Sequence, residues 1–98
     1  MSQRIALIHA TSVAMQPVVE AFRCHWPEVD TLSVLDDALS IDLARSGTLN
    51  EALKQRIASL AAYATGIGVD GILYTCSAFG EAIEAVARTA SMPVLKPN

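Results

Sequence analysis

The chain has 98 residues, of which 52% are hydrophobic and 17% charged, and its net charge is −3. This length accommodates one domain with a modest core, and without a basic run or a basic helix face it gives no reason to expect a nucleic-acid partner. No apolar segment is long enough to predict a membrane span. The two cysteines, Cys24 and Cys76, form neither a disulfide framework nor a metal-ligand spacing, so we expect a reducing, cytoplasmic setting and no metal.

The first half of the chain predicts two strands and one clear helix. The apolar run RIALIH (residues 4–9) predicts a buried parallel strand. A helix follows, with Thr11 or Ser12 as its cap and Pro27 as its end. Its apolar positions at helical spacing are Met15, Val18, Val19, Phe22 and Trp26. The run DTLSVLD (30–36) predicts a second strand, and the polar segment DALSIDLARSG (37–47) a loop with one or two helical turns.

A long amphipathic helix is predicted next, because Thr48 and Glu51 have the spacing of a capping box and apolar residues recur up to Gly66. Those apolar residues are Leu49, Leu53, Ile57, Leu60 and Ala64. The run GIGVDG (66–71) has the spacing of a dinucleotide-binding loop. It follows a helix and precedes a strand, whereas such a loop follows a strand and opens a helix. We therefore interpret it as a helix C-cap and a turn.

The last third predicts a strand over about 71–75, a helix over about 78–90 and a fourth strand, PVLK (93–96). In that helix, Ile83, Val86 and Ala87 are expected to face inward. Strands that alternate with helices indicate one α/β domain over residues 1–98, with a three-layer, flavodoxin-like parallel sheet in the order 2-1-3-4. Ligands of such sheets bind outside the carboxyl ends of the strands. Asp36 and Asp37 follow the second strand there and are typical turn residues.

The segment DGILYTCSAFGE (70–81) puts Cys76 where a buried strand ends and a helix begins. A thiol at a helix N-terminus meets unpaired backbone N–H groups and the positive end of the helix dipole, which favour the thiolate. The alternative is a buried structural cysteine, and the residues alone leave both interpretations open. A dithiol oxidoreductase is excluded because Phe79 stands where the second cysteine would be, and a cysteine phosphatase because no arginine follows before Arg88.

Polar residues accompany Cys76 at the same predicted edge. Thr75 and Ser77 flank it and are suited to hold a carboxylate, or alternatively serve as caps. His9 ends the first strand, where it either orients a carboxylate, tunes the thiol or is structural. The hydroxyls of Thr11 and Ser12 are able to cap a helix and to bind an anion together with its N–H groups.

The segment DGILYTCSAFGEAIEAVARTASMPVLKPN (70–98) resembles the first-half signature of the aspartate/glutamate racemase superfamily. That superfamily also includes hydantoin racemases, maleate isomerases and arylmalonate decarboxylases. The resemblance extends over nearly the whole chain, through a strand ending in HATS, a GxD turn, a strand ending in T-C-S and a Pro-Val strand. It implies cofactor-independent and metal-independent proton chemistry at a carbon next to a carboxylate or carbonyl, on an amino acid, a hydantoin or a related small acid.

The resemblance also implies residue roles. Cys76 matches the catalytic cysteine of the first half, Thr75 and Ser77 match the positions that flank it, and Thr11 and Ser12 match the substrate-binding segment after the first strand. The sequence HATS stands where glutamate racemases typically have Asp-Ser, which argues against glutamate as the substrate. Decarboxylation and cis-trans isomerisation stay open as alternatives, as does a non-catalytic flavodoxin-like binding module.

Members of this superfamily consist of two similar halves, each of which contributes one cysteine in the racemases. The chain corresponds to the N-terminal half, so the resemblance implies that a second half-domain or a second copy of the chain completes the site. We accordingly expect an exposed apolar face near the edge that holds Cys76, and no racemisation by a monomer.

Overall fold

The computed structural model describes residues 2–97, which form one four-stranded sheet and the helices on its two sides. The strands are β1 (Arg4–His9), β2 (Asp30–Leu35), β3 (Gly71–Tyr74) and β4 (Val94–Leu95). The α-helices of this part of the chain are α1 (Met15–His25), α2 (Leu39–Ser46), α3 (Glu51–Gly66) and α4 (Gly80–Thr89). Short 3-10 turns at Ser12–Ala14 and Ser77–Phe79 precede α1 and α4.

All the strand pairs are parallel, and the order across the sheet is β2-β1-β3-β4. This confirms the predicted flavodoxin-like α/β fold and its strand order. Parallel neighbours need long crossover connections, and here each connection contains at least one helix. The carboxyl ends of β1 and β3 therefore lie side by side, with Ile8 opposite Tyr74 in the register.

One face of the sheet carries most of the core. Alternate residues of β1 and β3 point to this face and are buried there against α2, α3 and α4. The strand residues on it are Ala6, Ile8, Ile72 and Tyr74, and the helix residues include Leu39, Leu53, Ile57, Ala82 and Ile83. The Tyr74 hydroxyl donates to the Ile57 carbonyl at 2.7 Å, so the one polar atom of this aromatic core residue is satisfied.

The opposite face is covered by α1, which has no fully buried residue. Leu7 in the middle of β1 is completely buried, but farther along the sheet the cover is thin, and Leu95 of β4 is 62% exposed. An open groove of about 280 Å³ lies between α1 and the β3–β4 side of the sheet. Its apolar lining includes Ile5, Phe22, Trp26, Leu73 and Leu95.

Three local predictions about the helices were wrong or incomplete. The segment predicted as a loop with one or two helical turns contains the eight-residue helix α2, which is about two turns long and is anchored by the buried Leu39. The cap of α3 is Asn50, whose side chain accepts a hydrogen bond from the Leu53 N–H at 2.9 Å, so the predicted capping box of Thr48 and Glu51 does not form. Ala87 is exposed because α4 turns Ala82 and Ile83 toward the core instead.

The predicted cap of the first helix was also wrong. Thr11 precedes a 3-10 turn and its side chain makes no capping hydrogen bond, while the residue before α1 is Ala14. The turn predicted from GIGVDG is confirmed. Gly68 has a positive φ of 83°, which glycine adopts without steric cost, and Arg4 ties the turn to the start of β1 by donating to the Ile67 carbonyl at 3.0 Å.

Candidate active site

A cleft of about 220 Å³ lies at the carboxyl edge of the sheet, where β1 and β3 end. Ala10, Thr11 and Ala14 of the β1–α1 connection line one part of it, and Ser40 of α2 another. The remaining lining residues are the continuous segment from Thr75 to Phe79. The cleft is thus lined by one thiol, several hydroxyls and apolar groups, and none of its lining residues in the described chain carries a charge.

Cys76 provides the one thiol among the described residues that line this cleft. It is buried, with 8% of its surface exposed, and it is not disulfide-bonded. It precedes the 3-10 turn Ser77–Phe79, so three residues separate it from the first residue of α4. The sequence predicts that the thiol lies directly at the N-terminus of an α-helix. In the structure, the 3-10 turn separates it from α4.

The position of Cys76 changes the protonation state that we expect for it. Burial raises the pKa of the Cys76 thiol above its ordinary value, and a backbone hydrogen bond that lowers this pKa is the smaller effect. Desolvation disfavours the charged form of an acid, so burial favours the protonated thiol of Cys76 at neutral pH. Burial therefore opposes the thiolate that the position of Cys76 in the sequence favours.

The hydroxyl-bearing residues predicted around Cys76 are only partly brought together. Thr11, Thr75 and Ser77 line the cleft, and Thr11 and Ser77 are exposed. Ser12 is exposed but is not among the lining residues. Ser40 lines the cleft although the sequence did not suggest it, because its segment was predicted to be mainly loop and its place relative to β3 depends on how α2 packs.

His9 is close to the site but does not line it. Its side chain is completely buried, with Nδ1 2.8 Å from the Thr75 hydroxyl oxygen and Nε2 3.4 Å from the Ser33 hydroxyl oxygen. Burial lowers the pKa of His9, which favours the neutral imidazole. His9 therefore contacts Thr75, which lines the cleft, but does not itself line the cleft.

Asp36, the first of the two acidic residues after β2, has a structural role. Asp36 accepts a hydrogen bond from the Ala38 N–H at 3.2 Å, which confirms its role in a turn. Both of its carboxylate oxygens also lie 3.0 Å from one guanidinium nitrogen of Arg56, and Arg56 bonds Asp42 as well. These three side chains join the end of β2 to α2 and α3, outside the lining of the cleft.

Comparison with models of known protein families gives no match, and comparison with curated proteins gives none either. Within residues 2–97, no helix has both the length and the apolar character that crossing a membrane requires. The same residues contain no group of three or more histidine, cysteine, aspartate or glutamate side chains placed to hold a metal ion.

Proposed function

We propose that the chain is the N-terminal half of a cofactor-independent racemase or isomerase of the aspartate/glutamate racemase superfamily. The substrate is a small acid or hydantoin, and the reaction occurs at the carbon next to its carboxylate or carbonyl group. One observation carries the proposal: Cys76 lines a cleft at the carboxyl edge of a parallel sheet, together with the hydroxyl-bearing residues Thr11, Thr75 and Ser77. Ligand sites of such sheets are found at this edge.

In the proposed reaction, the Cys76 thiolate removes the proton from the substrate carbon, and the electron pair moves onto the adjacent carbonyl or carboxylate oxygen. Hydroxyl groups that line the cleft donate hydrogen bonds to that oxygen as its charge grows. Burial makes the thiolate rare at neutral pH, but a thiolate of raised pKa is also a stronger base toward a carbon acid.

Racemisation also requires a proton donor on the opposite face of the substrate carbon. Cys24, the other cysteine, is exposed on α1 and is absent from the lining of the cleft, so it does not meet this need. A second half-domain, or a second copy of the chain related by a two-fold axis, supplies the opposing group in our proposal. Exposed apolar side chains adjoin the cleft-lining residues at Val13 and Ile41, which suits a contact near this edge.

A related decarboxylase is the second candidate, and the raised pKa of Cys76 favours it. After carbon dioxide leaves a malonate-type acid, the remaining carbanion needs one proton, and a protonated thiol is able to donate it from one face. Cis-trans isomerisation by addition of the thiolate to a double bond uses the same side chain. A non-catalytic binding module predicts instead that Cys76 is unreactive and that no assembly state turns over a substrate.

The test compares the wild type with Cys76→Ser and with Cys24→Ser, the matched control at an exposed position. Each protein is assayed on hydantoins, α-substituted carboxylic acids, malonates and maleate, and its assembly state is measured by sedimentation. We expect activity in a dimer, or after addition of a second half-domain, that Cys76→Ser abolishes and Cys24→Ser retains. Undiminished activity of Cys76→Ser would show that the assignment is wrong.

The protonation of Cys76 can be measured without a substrate. Alkylation of Cys76 is expected to rise with a midpoint above pH 9.0, because burial raises the pKa of its thiol. At neutral pH, Cys24 should react first because it is exposed. Mass spectrometry of the two cysteine peptides separates the rates.

The free thiols of both residues fit the cytoplasmic setting that we propose for the protein.

A further inference from the structure

A line of hydrogen-bonded side chains crosses three strands of the sheet just behind the cleft. His9, at the end of β1, lies between Ser33 of β2 and Thr75, which follows β3. The imidazole Nδ1 is 2.8 Å from the Thr75 hydroxyl oxygen, and Nε2 is 3.4 Å from the Ser33 hydroxyl oxygen. Thr75 is also a lining residue of the cleft and is bonded through its peptide to Cys76.

His9 is able to influence the cleft only through these partners. Its side chain has no exposed surface, and it is not among the residues that line the cleft. A neutral imidazole has one N–H donor and one acceptor nitrogen. His9 therefore donates a hydrogen bond to one of its two partners and accepts a hydrogen bond from the other. The position of that one hydrogen decides whether the Thr75 hydroxyl accepts a hydrogen bond from His9 or donates one to it.

Hydrogen on Nδ1 is the tautomer that leaves the Thr75 hydroxyl able to donate elsewhere. The Thr75 hydroxyl lies 3.4 Å from the Ile8 carbonyl oxygen, toward which it is a donor, and its oxygen is then free to accept from His9. This donor bond is long and weak, so the hydroxyl hydrogen is easily redirected to a better acceptor. With hydrogen on Nε2 instead, the Thr75 hydroxyl donates to His9 and has no hydrogen left for a ligand.

We propose that His9 is a positioning residue that keeps the Thr75 hydroxyl available as a donor to an anionic group in the cleft. This inference rests on the proposed function for the identity of the anion, a small carboxylate. His9 holds Nδ1–H toward Thr75, the Ser33 hydroxyl donates to Nε2, and Thr75 directs its hydrogen to the carboxylate. The role is indirect, because His9 itself touches no ligand.

Two substitutions separate the two bonds of His9. In His9→Asn the side-chain amide takes the place of Nδ1 and is able to donate to Thr75. In His9→Gln the amide takes the place of Nε2, reaches Ser33 and leaves Thr75 without its donor. A merely structural role predicts that His9→Asn is the more damaging change, because it leaves the larger void in a completely buried site. The positioning role predicts instead that His9→Gln weakens recognition of the anion more than His9→Asn does.

The measurement uses two alkylating reagents of nearly the same shape, iodoacetate and iodoacetamide, of which only the first carries a carboxylate. Their rate ratio at Cys76, divided by the same ratio at the exposed Cys24, reports recognition of the anion separately from access to the thiol. We expect the wild type and His9→Asn to share one ratio. In His9→Gln and in Thr75→Val the ratio should fall about tenfold, the value of one hydrogen bond.

Nitrogen NMR of the wild type, with the His9 signals identified by their loss in His9→Asn, should show hydrogen on Nδ1 and not on Nε2. Hydrogen on Nε2, or equal ratios for His9→Asn and His9→Gln, would overturn the inference. Neither measurement needs turnover. If the tautomer and the ratios are as expected but no substrate is converted, the proposed function fails while the positioning role of His9 stands.

Discussion

The two faces of the sheet differ in how completely helices cover them. On one face, α2, α3 and α4 enclose side chains such as Ile72, which is 3% exposed. On the other face, α1 alone provides the cover, and the next residue of the same strand, Leu73, is only partly buried and lines an open groove. Stability therefore comes mainly from one face, and the other has apolar surface left to bury.

The position of that open groove bears on the expected partner surface. Its lining includes Gln3, Asp70 and Pro93 near the starts of strands, at the opposite end of the sheet from Cys76. The resemblance predicts an exposed apolar face near the edge that holds Cys76. At that edge the described residues offer separate exposed apolar side chains and no continuous face: Val13 and Ile41 beside the cleft, and Leu35 at the end of β2.

Ile72→Ala and Leu73→Ala test the difference between the faces with neighbouring residues of one strand. Ile72→Ala removes a buried side chain from the core and should lower the free energy of unfolding by about 2–5 kcal/mol. Leu73→Ala removes a partly solvated side chain and should cost about 1 kcal/mol. Urea unfolding followed by circular dichroism measures both values. Equal losses would show that the two faces are equally well packed.

Tyr74→Phe sharpens the account of the well-covered face. The substitution keeps the aromatic ring but deletes the hydroxyl that donates to the Ile57 carbonyl at 2.7 Å. We expect a loss of about 1 kcal/mol in the free energy of unfolding, the net value of one hydrogen bond. Thermal unfolding of the variant beside Tyr63→Phe, a change at an exposed position, provides the control. An unchanged stability would mean that this bond contributes nothing.

The buried His9, on the face covered by α1, should make the protein sensitive to acid. Burial lowers the pKa of His9, so the unfolded chain binds this proton more readily than the folded protein. Stability should therefore decline as the pH falls below 6.5, the ordinary value for histidine, toward the lowered pKa of the folded state. His9→Asn should show a flatter pH dependence in urea unfolding, and His25→Asn, a change at an exposed position, is the matched control. Parallel curves for wild type and His9→Asn would contradict this.

Leu95→Ser should have the smallest effect, because the Leu95 side chain is 62% exposed on the thinly covered face. The free energy of unfolding of the monomer should change by no more than about 0.5 kcal/mol. Urea unfolding at low protein concentration tests this directly. A loss as large as that of Leu73→Ala would show that Leu95 is covered in solution.

The fold followed from sequence patterns that depend on neighbouring residues along the chain. The apolar runs at residues 4–9 and 71–74 and the helices between them led to the strand order that the structure has. Patterns failed where packing between distant segments decides the outcome. Helical periodicity placed Ala87 inward, but contacts with the rest of the core rotate α4 toward Ala82. The segment of α2 was predicted as a loop with one or two helical turns, which does not fix where its side chains lie relative to the sheet, so Ser40 was missed.

In the candidate site too, features set by local sequence were predictable, and features set by packing between distant segments were not. The location of Cys76 at the carboxyl edge was predictable because a strand precedes it and a parallel sheet collects its strand ends. Its burial was one of the two interpretations that the residues alone left open, and burial raises the pKa of the thiol, whereas a helix N-terminus was expected to lower it. The bond between His9 and Thr75 depends on the register of β1 against β3, which no local pattern supplies.

Hydrogen exchange at the substrate carbon in heavy water tests most directly whether Cys76 performs proton chemistry. The wild type, Cys24→Ser and Cys76→Ser are incubated with hydantoins and α-substituted carboxylic acids, in the assembly state established by sedimentation, and deuterium uptake is followed by NMR. We expect uptake with the wild type and with Cys24→Ser, and uptake at the uncatalysed rate with Cys76→Ser. Equal uptake with Cys76→Ser, or none with the folded wild type in any assembly state, would contradict the account.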